Sequence, residues 1–147
     1  MSDPAAGWWD EDVLDRERWG EAVRPVLERF AMARDRDRLP QAVLLVGPPG
    51  LGRELAAVEA AVMLVCEGNP GLWSVSRCAD RIRRGTHPDV VAVQAEGKGR
   101  VIKIEPLRDN LVDVVGARPY EGLRRVWIID GAEENHLPKP SANTLLK

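Results

Sequence analysis

A chain of 147 residues with 44% hydrophobic and 30% charged side chains is long enough for one domain with a real core. Its 21 basic and 23 acidic residues leave a formal net charge of −2, so no global field draws it onto nucleic acid or a membrane, and any DNA contact must be local or supplied by a partner. The start, Met1 to Asp12, lacks the basic and apolar regions of a signal peptide, and no apolar run reaches the length of a membrane span, so a cytoplasmic location is expected, with Cys66 and Cys78 as reduced thiols.

Residues 1–14 form a polar amino-terminal segment that carries Trp8 and Trp9, and 15–147 read as one domain. From Val13 to about Met32, Trp19, Ala22, Val23, Val26, Leu27 and Phe30 recur at intervals of three and four, the pattern of an amphipathic helix. Pro25 must kink that helix or sit in a first turn after a break. Arg34-Asp35-Arg36-Asp37-Arg38 alternates in sign and reads as a solvated helix end or linker.

Ala42 to Val46 is a continuous apolar run of the kind buried in parallel sheets, and the spacing predicts the first strand there. It enters Gly47-Pro48-Pro49-Gly50-Leu51-Gly52-Arg53-Glu54, which keeps the glycine frame of a phosphate-binding loop. A working loop places Lys against the terminal phosphates and a hydroxyl on Mg²⁺. Arg53 and Glu54 stand at those two positions. A carboxylate about 4 Å from a phosphate oxygen, at an effective dielectric near 20, is repelled by roughly 4 kcal/mol, about a thousandfold in affinity. Arg53 keeps the charge, but its planar fork is no conservative substitute for an ammonium. Because Glu54 can itself ligate Mg²⁺, weak ATP or ADP binding with Mg²⁺ stays open, whereas efficient hydrolysis does not fit and no held cofactor is expected. A chance glycine-rich turn is the bland alternative.

Arg53 to Cys66, free of proline and glycine, predicts a helix packed on the sheet. A connection from Glu67 to Thr86 contains a basic helical piece, Arg77 to Arg84, in which Arg81, Arg83 and Arg84 read as a solvated face rather than as phosphate contacts. His87-Pro88-Asp89 introduces a second strand, Asp89 to Val93, which ends in the turn Glu96-Gly97-Lys98-Gly99. His87 has no Ser or Cys motif to serve as a base for and reads as a turn residue. A helix is expected over Ile102 to about Ala117, with Pro106 near its first turn. The third strand is Arg125 to Ile129, and Asp130 ends it on the edge where open α/β sheets bind ligands. Asp130 is the candidate Walker B carboxylate, with a capping role at a strand-to-helix turn as its alternative.

Leu39-Pro40-Gln41-Ala42, His87-Pro88-Asp89, Arg118-Pro119-Tyr120-Glu121-Gly122, Val126 to Ala132 and Ala142-Asn143-Thr144-Leu145-Leu146-Lys147 form an ordered series. In this combination the chain, from about residue 15 to 147, resembles the amino-terminal part of the AAA+ module of bacterial clamp-loader subunits of DNA polymerase III. The resemblance implies an α/β fold: an incomplete AAA+, P-loop NTPase-like three-layer α/β/α arrangement with a mainly parallel sheet. Within that family the gamma/tau subunit keeps the Walker A Lys and Thr, while the delta-prime type often does not. Arg53, Glu54 and Gly131, the last standing where hydrolytic members carry a second acid, make the chain more similar to the delta-prime type. The implied role is a non-hydrolysing arm in sliding-clamp loading, with no catalytic residue and no ATPase activity of its own. The implied partners are gamma/tau and delta and, through the assembly, the clamp and primed DNA, with no membrane. A gamma/tau-like ATPase with weak ATP binding and a truncated remnant without assembly activity are the rival readings.

Three departures from the family pattern carry expectations. Family members usually bind a structural zinc through four cysteines after the first long helix. Here Cys66 and Cys78 match two, and Leu72 and Val75 occupy the others, so no zinc is expected. Ser76-Arg77-Cys78 spells the family's arginine-finger motif but precedes the Walker B region, so Arg77 is not given that role. Finally, the domain is expected to be truncated before the strands that flank the P-loop strand in the family, the lid and the collar. Ala42 to Val46 and Arg125 to Ile129 are therefore expected to lack a common neighbour, with backbone groups unpaired or facing solvent.

Overall fold

The computed structural model describes residues 16–48, 50–67, 75–93 and 116–131. Helix α1 spans Arg16–Asp35 and carries Pro25 within an unbroken run. Pro25 is exposed there, where its ring meets water rather than a packed neighbour. Val23, Val26 and Leu27, spaced by three and one, form the face that packs on Leu55 and Ala56. The helix runs three residues past the predicted end. Arg34, expected at a solvated helix end or in a linker, lies in the last turn of α1, where it donates to Glu67 Oε2 at 2.8 Å and reaches the Met63 carbonyl at 3.5 Å.

A Schellman motif closes α1: Asp37 N–H donates to the Arg34 carbonyl at 3.0 Å and Arg38 N–H to the Ala33 carbonyl at 2.8 Å. Asp37 takes the left-handed conformation, φ 51°, at the position where glycine is usual.

Helix α2, Arg53–Val65, follows the sequence closely. Leu55, Ala56, Val58, Ala60, Ala61, Val62 and Val65 are buried, so the helix is covered on nearly all sides. It separates two clusters, the small one with Val23 of α1 and a larger one in which Val58, Ala61, Val62 and Val65 meet Cys78, Ala79 and Ile82, together with Val90 and Ile128. Helix α3, Val75–Arg83, presents Cys78, Ala79 and Ile82 to that larger core. It ends in a second Schellman motif, this time with Gly85 at φ 69°.

Strands β1, Val90–Val93, and β2, Val126–Ile129, pair in parallel with Val90 opposite Val126 and Val93 opposite Ile129. The ladder is extended at both ends, by Val126 N–H to the Asp89 carbonyl and by Asp130 N–H to the Val93 carbonyl, each 2.9 Å. Parallel pairing beside packed helices is the expected α/β arrangement.

Three expectations are corrected. Ala42 to Val46 is not a strand: Val43, Leu44 and Val46 are 49%, 74% and 83% exposed, and only Leu45 turns inward, onto the α1–α2 cluster. A strand exists only by pairing, and among the described residues no segment pairs with this one. Cys66 and Cys78 are not free thiols: they form a disulfide between the end of α2 and α3. Arg83 does not lie on a solvated face, since its guanidinium holds both carboxylate oxygens of Glu59, at 2.8 and 3.0 Å. Met1 to Asp12, the turn at 96–99, most of the helix expected at 102–117 and the end at 141–147 lie outside the described residues. Gly116 and Ala117, at the close of that expected helix, are turn and bend residues.

Candidate functional site

The glycine loop gets its shape from backbone angles. Gly50 at φ 77° and Gly52 at φ 83° occupy the left-handed region that side chains avoid, and they turn the chain from the exposed segment into α2. Gly52 stands at the N-cap without a side-chain cap, and the Ala56 N–H closes the first turn on its carbonyl at 2.9 Å. Pro49 lies outside the described residues, Pro48 and Leu51 are exposed and Gly47 is half-buried. A Cβ on Gly47 would stand 3.8 Å from Arg53 Cδ, so the stem of Arg53 folds back across the loop. Its Nε is buried with no hydrogen-bond partner among the described residues. Glu54, also half-buried, lies in the first turn, where a carboxylate complements the N–H groups and dipole of the helix start.

Asp130 follows β2, half-buried, with Gly131 at φ 71° behind it. The end of α2 touches the entry to β2, where Leu123 N–H donates to the Val65 carbonyl at 3.4 Å. Helix α2 therefore runs back along the sheet, and its loop end lies toward the carboxyl edge that Asp130 occupies. Among the described residues no hydrogen bond or ion pair joins Asp130 to Arg53 or Glu54.

The opposite edge holds the better-built cluster. Asp89, fully buried, accepts three backbone N–H bonds: Tyr120 on Oδ1 at 2.7 Å, and Glu121 and Gly122 on Oδ2 at 2.9 and 2.7 Å. Burial alone would push its carboxyl up, but the three N–H bonds outweigh that and hold it below the usual aspartate value. Arg125 Nε adds charge 3.5 Å from Oδ1, in ion-pair range though not aligned as a hydrogen bond. Its guanidinium lies over the Tyr120 ring, 4.8 Å from the centroid. Gly122 is required by space: a Cβ there would stand 2.6 Å from Val65 Cγ1 and 3.2 Å from Asp89 Oδ2.

His87 completes the cluster. It is buried, its Nδ1 accepts the Asp89 N–H at 3.1 Å, and its Nε2 faces Cys78 Sγ at 3.5 Å and Glu121 Oε1 at 3.7 Å. Burial lowers its pKa, against the raising effect of Glu121, and keeps the ring neutral. Glu121 is also paired with Arg81. With Cys78 held in a disulfide, the cluster ties a turn to a strand through His87, Asp89 and the 120–122 backbone. Sequence reasoning missed this role. Both motifs, His87-Pro88-Asp89 and Arg118 to Gly122, were visible, but their pairing was not. The two sulfurs are joined to each other and Leu72 and Val75 offer no donor, so these positions do not fit a four-ligand zinc site. Among the described residues no group of three or more His, Cys, Asp or Glu is placed to hold a metal ion.

A parallel strand pair beside packed helices, one of them entered through left-handed glycines, with an aspartate after the second strand, is an α/β arrangement consistent with an AAA+-like fragment. The family model described as "DNA polymerase III, delta subunit" matches residues 23–147, and the chain belongs to that family. Among curated relatives, "DNA polymerase III subunit delta'" of Pseudomonas aeruginosa (strain PAO1) is 32% identical over 108 residues, 72% of this chain and 32% of the relative. The protein of that name from Escherichia coli (strain K12) is 26% identical over 132 residues, 88% of this chain and 39% of the relative. The similarity is thus to the delta-prime type, and the chain spans about a third of the length of these relatives. No solved structure gives a significant match. Among the described residues no helix is long and apolar enough to cross a membrane.

Proposed function

We propose that the chain acts as a non-hydrolysing, delta-prime-like subunit, or a part of one, in the DNA polymerase III clamp loader, and supports sliding-clamp loading through protein contacts. The observation that carries this reading is the first turn of α2. Arg53 folds across the loop and Glu54 places a carboxylate at the helix start, where a working loop would offer Lys and a hydroxyl to a phosphate and Mg²⁺. Gly47 to Glu54 is on this view a vestigial nucleotide loop, and Asp130 a vestigial Walker B position. The partners are gamma/tau and delta, with the clamp and primed DNA met through the assembly, in the cytoplasm. The relatives' names support the family membership on which this rests.

The test is reconstitution of the 147-residue chain with gamma/tau and delta, read by co-elution and clamp loading, alongside calorimetric titration with MgATP. Co-elution without measurable nucleotide binding is expected. Tight MgATP binding, with turnover lost in Asp130→Ala, would move the assignment to a gamma/tau-like ATPase. A folded chain that never co-elutes would mark a remnant without assembly activity.

A further inference from the structure

Cys66 and Cys78 are joined across the core, and their surroundings differ. Cys66 caps the C-terminus of α2, next to the exposed Glu67, and the end of that helix is clasped by Arg34, which bonds both Glu67 and the Met63 carbonyl. Cys78 sits inside α3 with His87 Nε2 at 3.5 Å. Because Nδ1 of His87 accepts the Asp89 N–H, the proton of the neutral ring is on Nε2, which lies 3.5 Å from Cys78 Sγ and, at the longer distance of 3.7 Å, from Glu121 Oε1. A thiolate accepts a bond from that N–H far better than a disulfide sulfur does, so the ring favours charge on Cys78 over charge on Cys66.

We propose that the Cys66–Cys78 bond is a site of reversible thiol exchange, in which Cys66 takes the incoming group and Cys78 is the sulfur that leaves. The co-reactant is a low-molecular-weight monothiol. Its thiolate forms a bond to Cys66 Sγ, the Cys66–Cys78 bond breaks, and the electron pair stays on Cys78 Sγ, which is held by the His87 N–H and then protonated from water. A second thiolate attacks the small molecule's sulfur in the mixed disulfide and releases Cys66. The balance is one protein disulfide reduced to two thiols and two monothiols oxidised to one disulfide. Both sulfurs are buried, so access depends on fraying of the α2 end, and the Arg34 clasp sets how often that happens. The inference concerns a different edge from the glycine loop and does not depend on the proposed role in clamp loading.

The experiment uses the oxidised 147-residue chain with reduced glutathione, quenched in acid, alkylated and mapped by peptide mass. Glutathione is expected on Cys66 in preference to Cys78 by roughly tenfold, the factor that a hydrogen bond to a charged group supplies. His87→Asn keeps an acceptor near the Asp89 N–H but loses the donor at Cys78, and it should bring the ratio close to one. His87→Gln, which keeps a donor there, should retain the bias. Arg34→Ala should raise the rate of adduct formation several-fold. An even distribution or a majority on Cys78 in the unsubstituted chain overturns the proposal. So does the absence of any adduct in the folded chain when the same chain reacts in urea. An unchanged rate in Arg34→Ala overturns the route through the α2 end. Should His87→Asn fail to fold by circular dichroism, the distribution in the unsubstituted chain decides alone.

Discussion

Asp89 shows how much a single side chain can organise. A buried carboxylate with three N–H donors is stable only while it is charged, and Asp89→Asn would turn one acceptor oxygen into a donor that faces other donors. A loss of about 2–4 kcal/mol is expected, read as a shift in the urea midpoint with the slope unchanged. Acid should act in two stages. The His87 pKa is lowered on folding, so the unfolded chain binds its proton first and stability begins to fall as pH drops below about 6.5. The Asp89 pKa is also lowered, so its contribution is intact above about pH 4 and fades as pH falls through its folded value. Urea midpoints measured from pH 8 to 3 should show both stages, and His87→Gln should remove the upper one alone. Gly122→Ala should cost about 2 kcal/mol, because its methyl group would overlap Val65 in a packed core. Gly50 and Gly52 were legible as residues that the loop needs. The Asp89 contacts were not, because they join positions 31 to 33 residues apart, a separation that no local pattern reports.

At the scale of elements, legibility followed how local the stabilising interactions are. Helix α2 could be read to within a residue, since its run of Ala, Val, Leu and Met lacks breakers and favours a helix wherever it packs. Strands β1 and β2 were legible as short apolar runs between turn residues. Ala42 to Val46 has the same composition and is no strand, because its state depends on a partner elsewhere in the fold. Sequence also placed Arg34 and Arg83 in solvent, and both are drawn inward by carboxylates, Glu67 and Glu59, that periodicity cannot pair with them. The two Schellman caps offer a direct comparison: α3 ends on Gly85 and α1 on Asp37, both left-handed. Asp37→Gly should therefore stabilise the chain, by about 0.5–1 kcal/mol, measured as a rise in thermal midpoint.

For the molecule as a whole, α2 is the helix that joins the two clusters, while the segment before the loop adds little burial of its own. Leu44→Asp should accordingly leave stability within about 0.5 kcal/mol, the range of ordinary surface changes. The same variant should weaken co-elution with gamma/tau and delta if the exposed segment is covered in the assembly, so a single substitution separates a folding role from an assembly role. The α/β class with a mainly parallel sheet was legible through the family resemblance; which segments pair was not.

The pairing of β1 with β2 also sets a timetable. Val93 is made well before its neighbour Ile129, and at about 5–20 residues per second the intervening chain takes roughly two to seven seconds to leave the ribosome. Throughout that interval α1 and α2 can already dock through Val23 and Leu55, while the face of α2 that will meet Ile128 has no strand beside it. The nascent chain thus carries an apolar helix face covered only in part, by α3, for seconds of every synthesis, a window in which chaperone binding competes with self-association.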